Sequence, residues 1–350
     1  MGCHCHFRTA GCPRRWVSPS QLIASGSGPL RRCFCCEGPG GGRGQRYAPD
    51  WRGRTAVHNA AAGGDSALME FLLAHGAQVN GTDDAGMTPL HHAARASNTE
   101  AVWCLLKHGS AVGVQDQDGW TPLHWAARNG APEVAGALLL SEAPLDVPDS
   151  YGWRPVHCAA AEGNADVLAL LLEAGADPGG RIREVPEDTT RWAYEYEFVR
   201  DWLGRKVRRA GRRETPLHMA AADGNVEVAA LLIGAGADIE AQHYHEGATP
   251  LILATQAEHR AMVRVLLDAG ADPNTNPRDK GGLCVPALYY AVENRDLATA
   301  ALLVAAGADP ECSFGDLGTA LMSAKKYYPN KEMIALLKGK GRWWPAKKVP

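Results

Sequence analysis

A period of 33 residues constrains this chain more than any other feature. Thr-Pro-Leu-His stands at Thr88-Pro89-Leu90-His91, Thr121-Pro122-Leu123-His124 and Thr215-Pro216-Leu217-His218. Degraded copies stand at Thr55-Ala56-Val57-His58, Arg154-Pro155-Val156-His157 and Thr249-Pro250-Leu251-Ile252. The copies that begin at 55, 88, 121 and 154 follow one another at steps of 33. A fixed period of that length marks a repeat array, in which each unit buries its apolar face only against its neighbours. The 350 residues therefore need not divide into ordinary domains.

The first unit shows the internal order. Ala60-Ala61-Ala62 suits a closely packed helix, and Gly63-Gly64 ends it in left-handed backbone that glycine enters cheaply. Asp65 is placed to cap a second helix with an apolar stripe of Leu68, Phe71, Leu72 and Leu73. Gly76-Ala77-Gln78-Val79-Asn80 leads out into a turn.

On Thr-Pro-Leu-His, Ala-Ala, Gly, Leu-Leu and Gly-Ala-Asp recurring in phase, the chain resembles the ankyrin-repeat family over residues 51–338. The resemblance implies an all-α repeat solenoid of about eight stacked helix-turn-helix units joined by β-hairpin loops. Residues 1–50 and 339–350 form tails. Pro132 suits the first turn of a helix in the third unit. The fifth unit starts at Thr215, which is 61 residues after Arg154, so about 28 residues are inserted beyond the period. In the eighth unit Lys325, Lys326, Lys331 and Lys338 suit the polar outer face of a terminal cap. The resemblance gives His58, His91, His124, His157 and His218 a structural role, tying the turn to its Thr and linking neighbouring units. Ile252, Tyr289 and Met322 replace that His in units six to eight, and Glu258, Arg295 and Tyr328 replace the inter-helix Gly. That half should be looser or held by other contacts. The resemblance also places Asn80 and Asn274 where an asparaginyl hydroxylase modifies some members.

The insertion, 183–211, stands outside the repeat pattern. Pro186-Glu187-Asp188-Thr189-Thr190 reads as a helix start. Trp192, Tyr196, Val199 and Leu203 then follow at helical spacing, with Tyr194, Phe198 and Trp202 beside them. The expectation is an amphipathic helix between units four and five, lying on those units, meeting a partner, or both. The basic run Arg205, Lys206, Arg208, Arg209, Arg212 and Arg213 reads as a solvated helix end, an import signal or a phosphate-binding patch.

Within the resemblance, positions around the motif face a groove. Met87, Trp120, Trp153 and Glu214 precede it, and Arg95, Arg128, Ala161 and Ala222 lie seven residues after its first residue. Trp120, Trp125, Arg128, Tyr151 and Trp153, with Trp192, Phe198 and Trp202 of the insertion, are the expected partner-binding residues, because Trp, Tyr and Arg dominate interface hot spots.

Charge adds little direction: 36 Lys and Arg stand against 39 Asp and Glu. No apolar run approaches the roughly 20 residues that span a bilayer. Residues 1–50, rich in Gly, Pro and Arg, read as a disordered tail, with an organelle transit peptide as the alternative. Cys3, Cys5, Cys12, Cys33, Cys35 and Cys36 beside His4 and His6 lack the paired spacing of zinc sites. Gly2 lacks the Ser or Thr at position 6 that myristoylation requires. His243-Tyr244-His245-Glu246 is the nearest approach to a metal cluster, at a hairpin tip. No metal, cofactor or catalytic residue is expected.

The reading is a non-catalytic scaffold or adaptor, monomeric and cytoplasmic or nuclear, whose groove and insertion take an extended or helical segment of another protein. The alternatives are a nucleic-acid-associated protein using the basic tail and insertion, and an enzyme. The C-terminal Gly341-Arg342-Trp343-Trp344-Pro345-Ala346-Lys347-Lys348 does not look like a SOCS box.

Overall fold

The computed structural model describes residues 49–182, 198–200, 206–208, 214–242, 247–275, 285–312 and 318–339. Sixteen helices lie among them, two for each of eight units. The inner helices are α1 (Ala56–Gly63), α3 (Pro89–Arg95), α5 (Pro122–Asn129), α7 (Pro155–Glu162), α9 (Pro216–Asp223), α11 (Pro250–Gln256), α13 (Ala287–Glu293) and α15 (Ala320–Lys326). The outer helices are α2 (Ser66–Ala74), α4 (Thr99–Lys107), α6 (Pro132–Leu140), α8 (Ala165–Glu173), α10 (Val226–Gly234), α12 (Arg260–Asp268), α14 (Leu297–Ala305) and α16 (Lys331–Leu337). Each inner helix packs on the next inner helix and each outer helix on the next outer one. Outside the insertion, the described residues form a helical repeat solenoid.

Short helices of seven to nine residues are marginal alone in water, so packing must hold them. The layer between helices is built from fully covered side chains such as Leu90, Leu105, Leu123, Leu138, Leu168 and Leu171. Each contributes about 1.5–3 kcal/mol by leaving water. In α2 the packed side chains are Met69 and Leu72, whereas Phe71 is 57% exposed. The stripe expected there is therefore narrower than the run of large apolar residues.

Thr88 shows how a unit starts. It stands in extended backbone before α3, with Pro89 at the first helical position, where a backbone N–H would lack a partner anyway. The Thr88 N–H donates to His91 Nδ1 at 3.0 Å, and Thr88 Oγ1 lies 2.8 Å from the same nitrogen. His91 Nε2 donates to the Trp120 carbonyl of the next unit at 3.0 Å. His58, His124, His157 and His218 reach Met87, Trp153, Gly180 and Ala248 carbonyls in the same way. A carbonyl only accepts, so Nε2 carries the proton and Nδ1 accepts. The ring must stay neutral to do both.

A second set of links crosses the other end of the inner helices. Asn98 Nδ2 donates to the Ala61 and Ala62 carbonyls, and Asn164 Nδ2 to those of Ala127 and Arg128. These satisfy helix-end carbonyls that have no partner within their own helix. His259 reaches Ala222, and Asn294 reaches Thr255 and Gln256. At the junction of units six and seven, where Ile252 replaces the motif His, the Asn294 contacts remain. Glu258 and Arg295 keep the left-handed backbone of the glycines they replace, at φ 61° and 58°. Lys325, Lys326, Lys331 and Lys338 of the last unit are exposed.

The insertion departs from expectation. Phe198–Arg200 (β1) and Lys206–Arg208 (β2) form an antiparallel pair in the register Phe198↔Arg208, Val199↔Val207 and Arg200↔Lys206. A helix through Phe198 and Val199 is therefore corrected to a strand. The apolar run is too short for its period to decide, and aromatic and β-branched residues flanking Gly204 favour a pleated pair. Trp192, Trp202, Pro186-Glu187-Asp188-Thr189-Thr190, His243-Tyr244-His245-Glu246 and nearly all of the two tails lie outside the described residues. The insertion does not separate its neighbours, because α7 packs on α9 and α8 on α10. Its base is closed by the Ile182 N–H donating to the Glu214 carbonyl at 3.3 Å.

His124→Ala removes the links to Thr121 and to Trp153 and strands their backbone partners. A loss of about 2–3 kcal/mol is expected in urea unfolding. Burial holds His91 and His124 at about 4 and His157 at about 3. Their folded pKa values lie below the unfolded value near 6.5. The stability they contribute is complete above that value and is lost as pH falls from there toward 4. Thermal scans should show the melting temperature falling steeply between pH 6.5 and 4; a flat profile there would contradict the neutral-ring assignment.

Candidate functional site

The turns that precede units one to four share an aspartate that motif matching overlooks. Asp50, Asp83, Asp116 and Asp149 recur at steps of 33, each three residues before a Gly and five before the motif position. In each, Oδ1 accepts two backbone N–H groups, two and four residues on. For Asp149 the donors are Tyr151 and Trp153, at 2.8 and 2.7 Å. For Asp116 they are Asp118 and Trp120, at 3.0 and 2.8 Å. Neighbouring turns are joined in turn, Ser150 N–H donating to the Asp118 carbonyl. Gly119 permits this approach: at φ 81° a Cβ would fall 2.7 Å from Ser150 N.

With Oδ1 committed to the turn, Oδ2 is available to the inner-helix face. Asp83 Oδ2 meets His92 Nε2 at 2.8 Å, and Asp149 Oδ2 accepts Trp120 Nε1 at 2.9 Å. The Trp125 indole acts on Asp116. His92 and Trp125 occupy equivalent positions one period apart. Burial pushes the Asp149 carboxyl up to about 6, against its hydrogen bonds from Trp153, Tyr151 and Trp120. Burial also raises Asp116. At Asp83 burial is outweighed by His92 and two backbone donors, so its pKa is lowered.

Above these carboxylates the structure assembles a stack of rings and guanidinium groups. Trp120 and Trp125 lie 4.7 Å apart between ring centroids. Arg95 sits over Trp125 and Arg128 over Trp120, both at 5.4 Å. Arg128 also pairs with Glu162 of the next unit, Nε to Oε1 at 3.2 Å. Trp125 is only 7% exposed and supports the stack from below, while Trp120 is half-buried. Trp153 is half-buried one unit along, and Tyr151 at the turn tip is 56% exposed. Of the expected partner-binding residues, Trp120, Trp125, Arg128, Tyr151 and Trp153 therefore come together on units three and four. Phe198 lies in β1.

The face can offer flat aromatic area, two guanidinium groups and the exposed Glu162 carboxylate, on a backbone fixed by buried carboxylates. The fold and this face define a repeat protein of stacked helical pairs and turns. The comparisons make the family specific. Residues 42–116, 98–181 and 192–277 each match the family model for ankyrin repeats, together well over half the chain. The chain belongs to the ankyrin-repeat family.

Over 99 residues it is 37% identical to a putative ankyrin repeat-containing protein of Treponema pallidum (strain Nichols). That match takes in 28% of this chain and 32% of the relative, so it spans about a third of that protein's length. The fold is similar to the crystal structure of the human ASB11 ankyrin repeat domain, with a TM-score of 0.58 and 21% identity. The likeness covers 73% of this chain and 100% of that one.

Asp149→Ala leaves the Tyr151 and Trp153 N–H groups and the Trp120 indole without their acceptor. The expected cost is about 2 kcal/mol in urea unfolding with helicity retained, since buried donors lose a partner. An unchanged midpoint would show that solvent replaces the carboxylate at no cost.

Proposed function

We propose that this chain is a non-catalytic adaptor that holds an extended or helical segment of another protein against the inner-helix and turn face of units two to four. Ankyrin repeats are generally protein-interaction modules and typically non-catalytic. The observation that carries the reading is the Arg95–Trp125–Trp120–Arg128 stack beside exposed Tyr151. Aromatic and arginine side chains held in one conformation lose little entropy on binding, which is the property of interface hot spots. The insertion is rooted at Ile182 and Glu214, between units four and five.

Affinity purification of the full chain from cells tests this. Trp120→Ala combined with Tyr151→Ala should lower affinity for the captured protein about 30-fold or more, matching a loss of about 2 kcal/mol. Circular dichroism should be unchanged. Replacing 183–211 by a short consensus turn then separates the insertion's share from that of the repeats. Equal capture by all forms would remove this face from the binding role, and recovery of nucleic acid alone, released by salt, would replace the proposal.

A further inference from the structure

The outer helices of units one and two carry a cluster that the binding face does not use. Cys104 and His108 lie four residues apart at the C-terminal end of α4, so their side chains share one helix face. Glu70 of α2 lies across from them in the preceding unit. One ligand atom from each of the three lies within 4.8 Å of the other two. His108 Nδ1 donates to the Cys104 carbonyl at 2.9 Å. That bond fixes the tautomer with the lone pair on Nε2, the arrangement that usually orients a metal-binding imidazole. Cys104 is buried, Glu70 is exposed, and His108 lies between the two.

We propose that Glu70, Cys104 and His108 form a three-ligand site for a zinc-like divalent cation, joining the first two units on their outer side. The donor set decides the class of ion. Thiolate and imidazole suit Zn2+ and Co2+ better than Mg2+ or Ca2+, which take oxygen ligands. Tetrahedral zinc with bonds of roughly 2.0–2.3 Å sets its ligand atoms about 3.5 Å apart. Atoms within 4.8 Å reach that spacing by closing at most about 1 Å, a movement shared by the exposed Glu70 and partly exposed His108 side chains. Glu70 is held meanwhile by Lys107 Nζ at 2.9 Å, both side chains being more than half exposed. An exposed pair of that kind is worth little and yields to a divalent ion. On binding, the Cys104 S–H bond breaks, sulfur keeps the electron pair and donates it to the metal, and one proton leaves to solvent. A water completes the fourth position.

Co2+ is the probe, added to the full chain with Cys3, Cys5, Cys12, Cys33, Cys35 and Cys36 replaced by Ser. One equivalent should bind and give the near-ultraviolet absorption of a thiolate–cobalt bond, which Zn2+ then abolishes. Cys104→Ser should remove that absorption. His108→Ala, at a partly exposed helix end where folding is spared, should weaken Co2+ binding at least tenfold. Lys107→Met should tighten it by releasing Glu70. The proposal is overturned if the serine-substituted chain shows no thiolate band, or if the band survives Cys104→Ser. Equal affinity of the His108→Ala chain overturns it as well.

Discussion

The array depends on one neutral imidazole in each of its first five units. Each motif His accepts from the backbone that starts its own helix and donates to a carbonyl of the next unit. Because both partners are buried backbone groups, the bond is worth most as insurance against an unsatisfied donor or acceptor. It also sets the distance between turns, so the spacing of the aromatic face follows from it. Where the His is absent, in units six to eight, apolar Ile252 and Tyr289 fill buried positions. Between units six and seven the Asn294 contacts at the other helix end remain.

The aspartates and the histidines divide the work. His joins units through the first turn of the helix, and Asp fixes the turn that precedes it. The same carboxylate reaches the inner face through its second oxygen, so turn geometry and the aromatic face are one network. Trp120 makes the connection concrete: its backbone N–H bonds Asp116 of its own turn while its indole bonds Asp149 of the next. Its ring plane is set by these two bonds.

Most of this architecture was legible because repetition amplifies weak signals. Thr-Pro-Leu-His and Gly-Ala-Asp gave helix starts, turns and unit boundaries down to the Arg154 variant. The same repetition could have exposed Asp50, Asp83, Asp116 and Asp149, whose period is as regular as that of the His. They were overshadowed because a turn aspartate is ordinary by itself. The insertion had no second copy, and its aromatic spacing fitted a helix while Phe198, Val199 and Val207 fitted a strand pair. Of the site, Trp120, Arg128, Tyr151 and Trp153 followed from their places relative to the motif. The stacking of Trp120 on Trp125 did not, since ring packing at 4.7 Å is set by rotamers that spacing leaves open. The grouping of Glu70 with Cys104 and His108 needed the packing of α2 on α4.

The Ile182–Glu214 closure has a consequence for how such a chain changes over time. Units four and five stack as though nothing lay between them, so the outgrowth contributes little to the period that holds the array together. Selection can lengthen, shorten or rewrite it residue by residue without repaying the change in the neighbouring helices. The length of the insertion and the stacking of the repeats are thereby under separate genetic control within a single polypeptide.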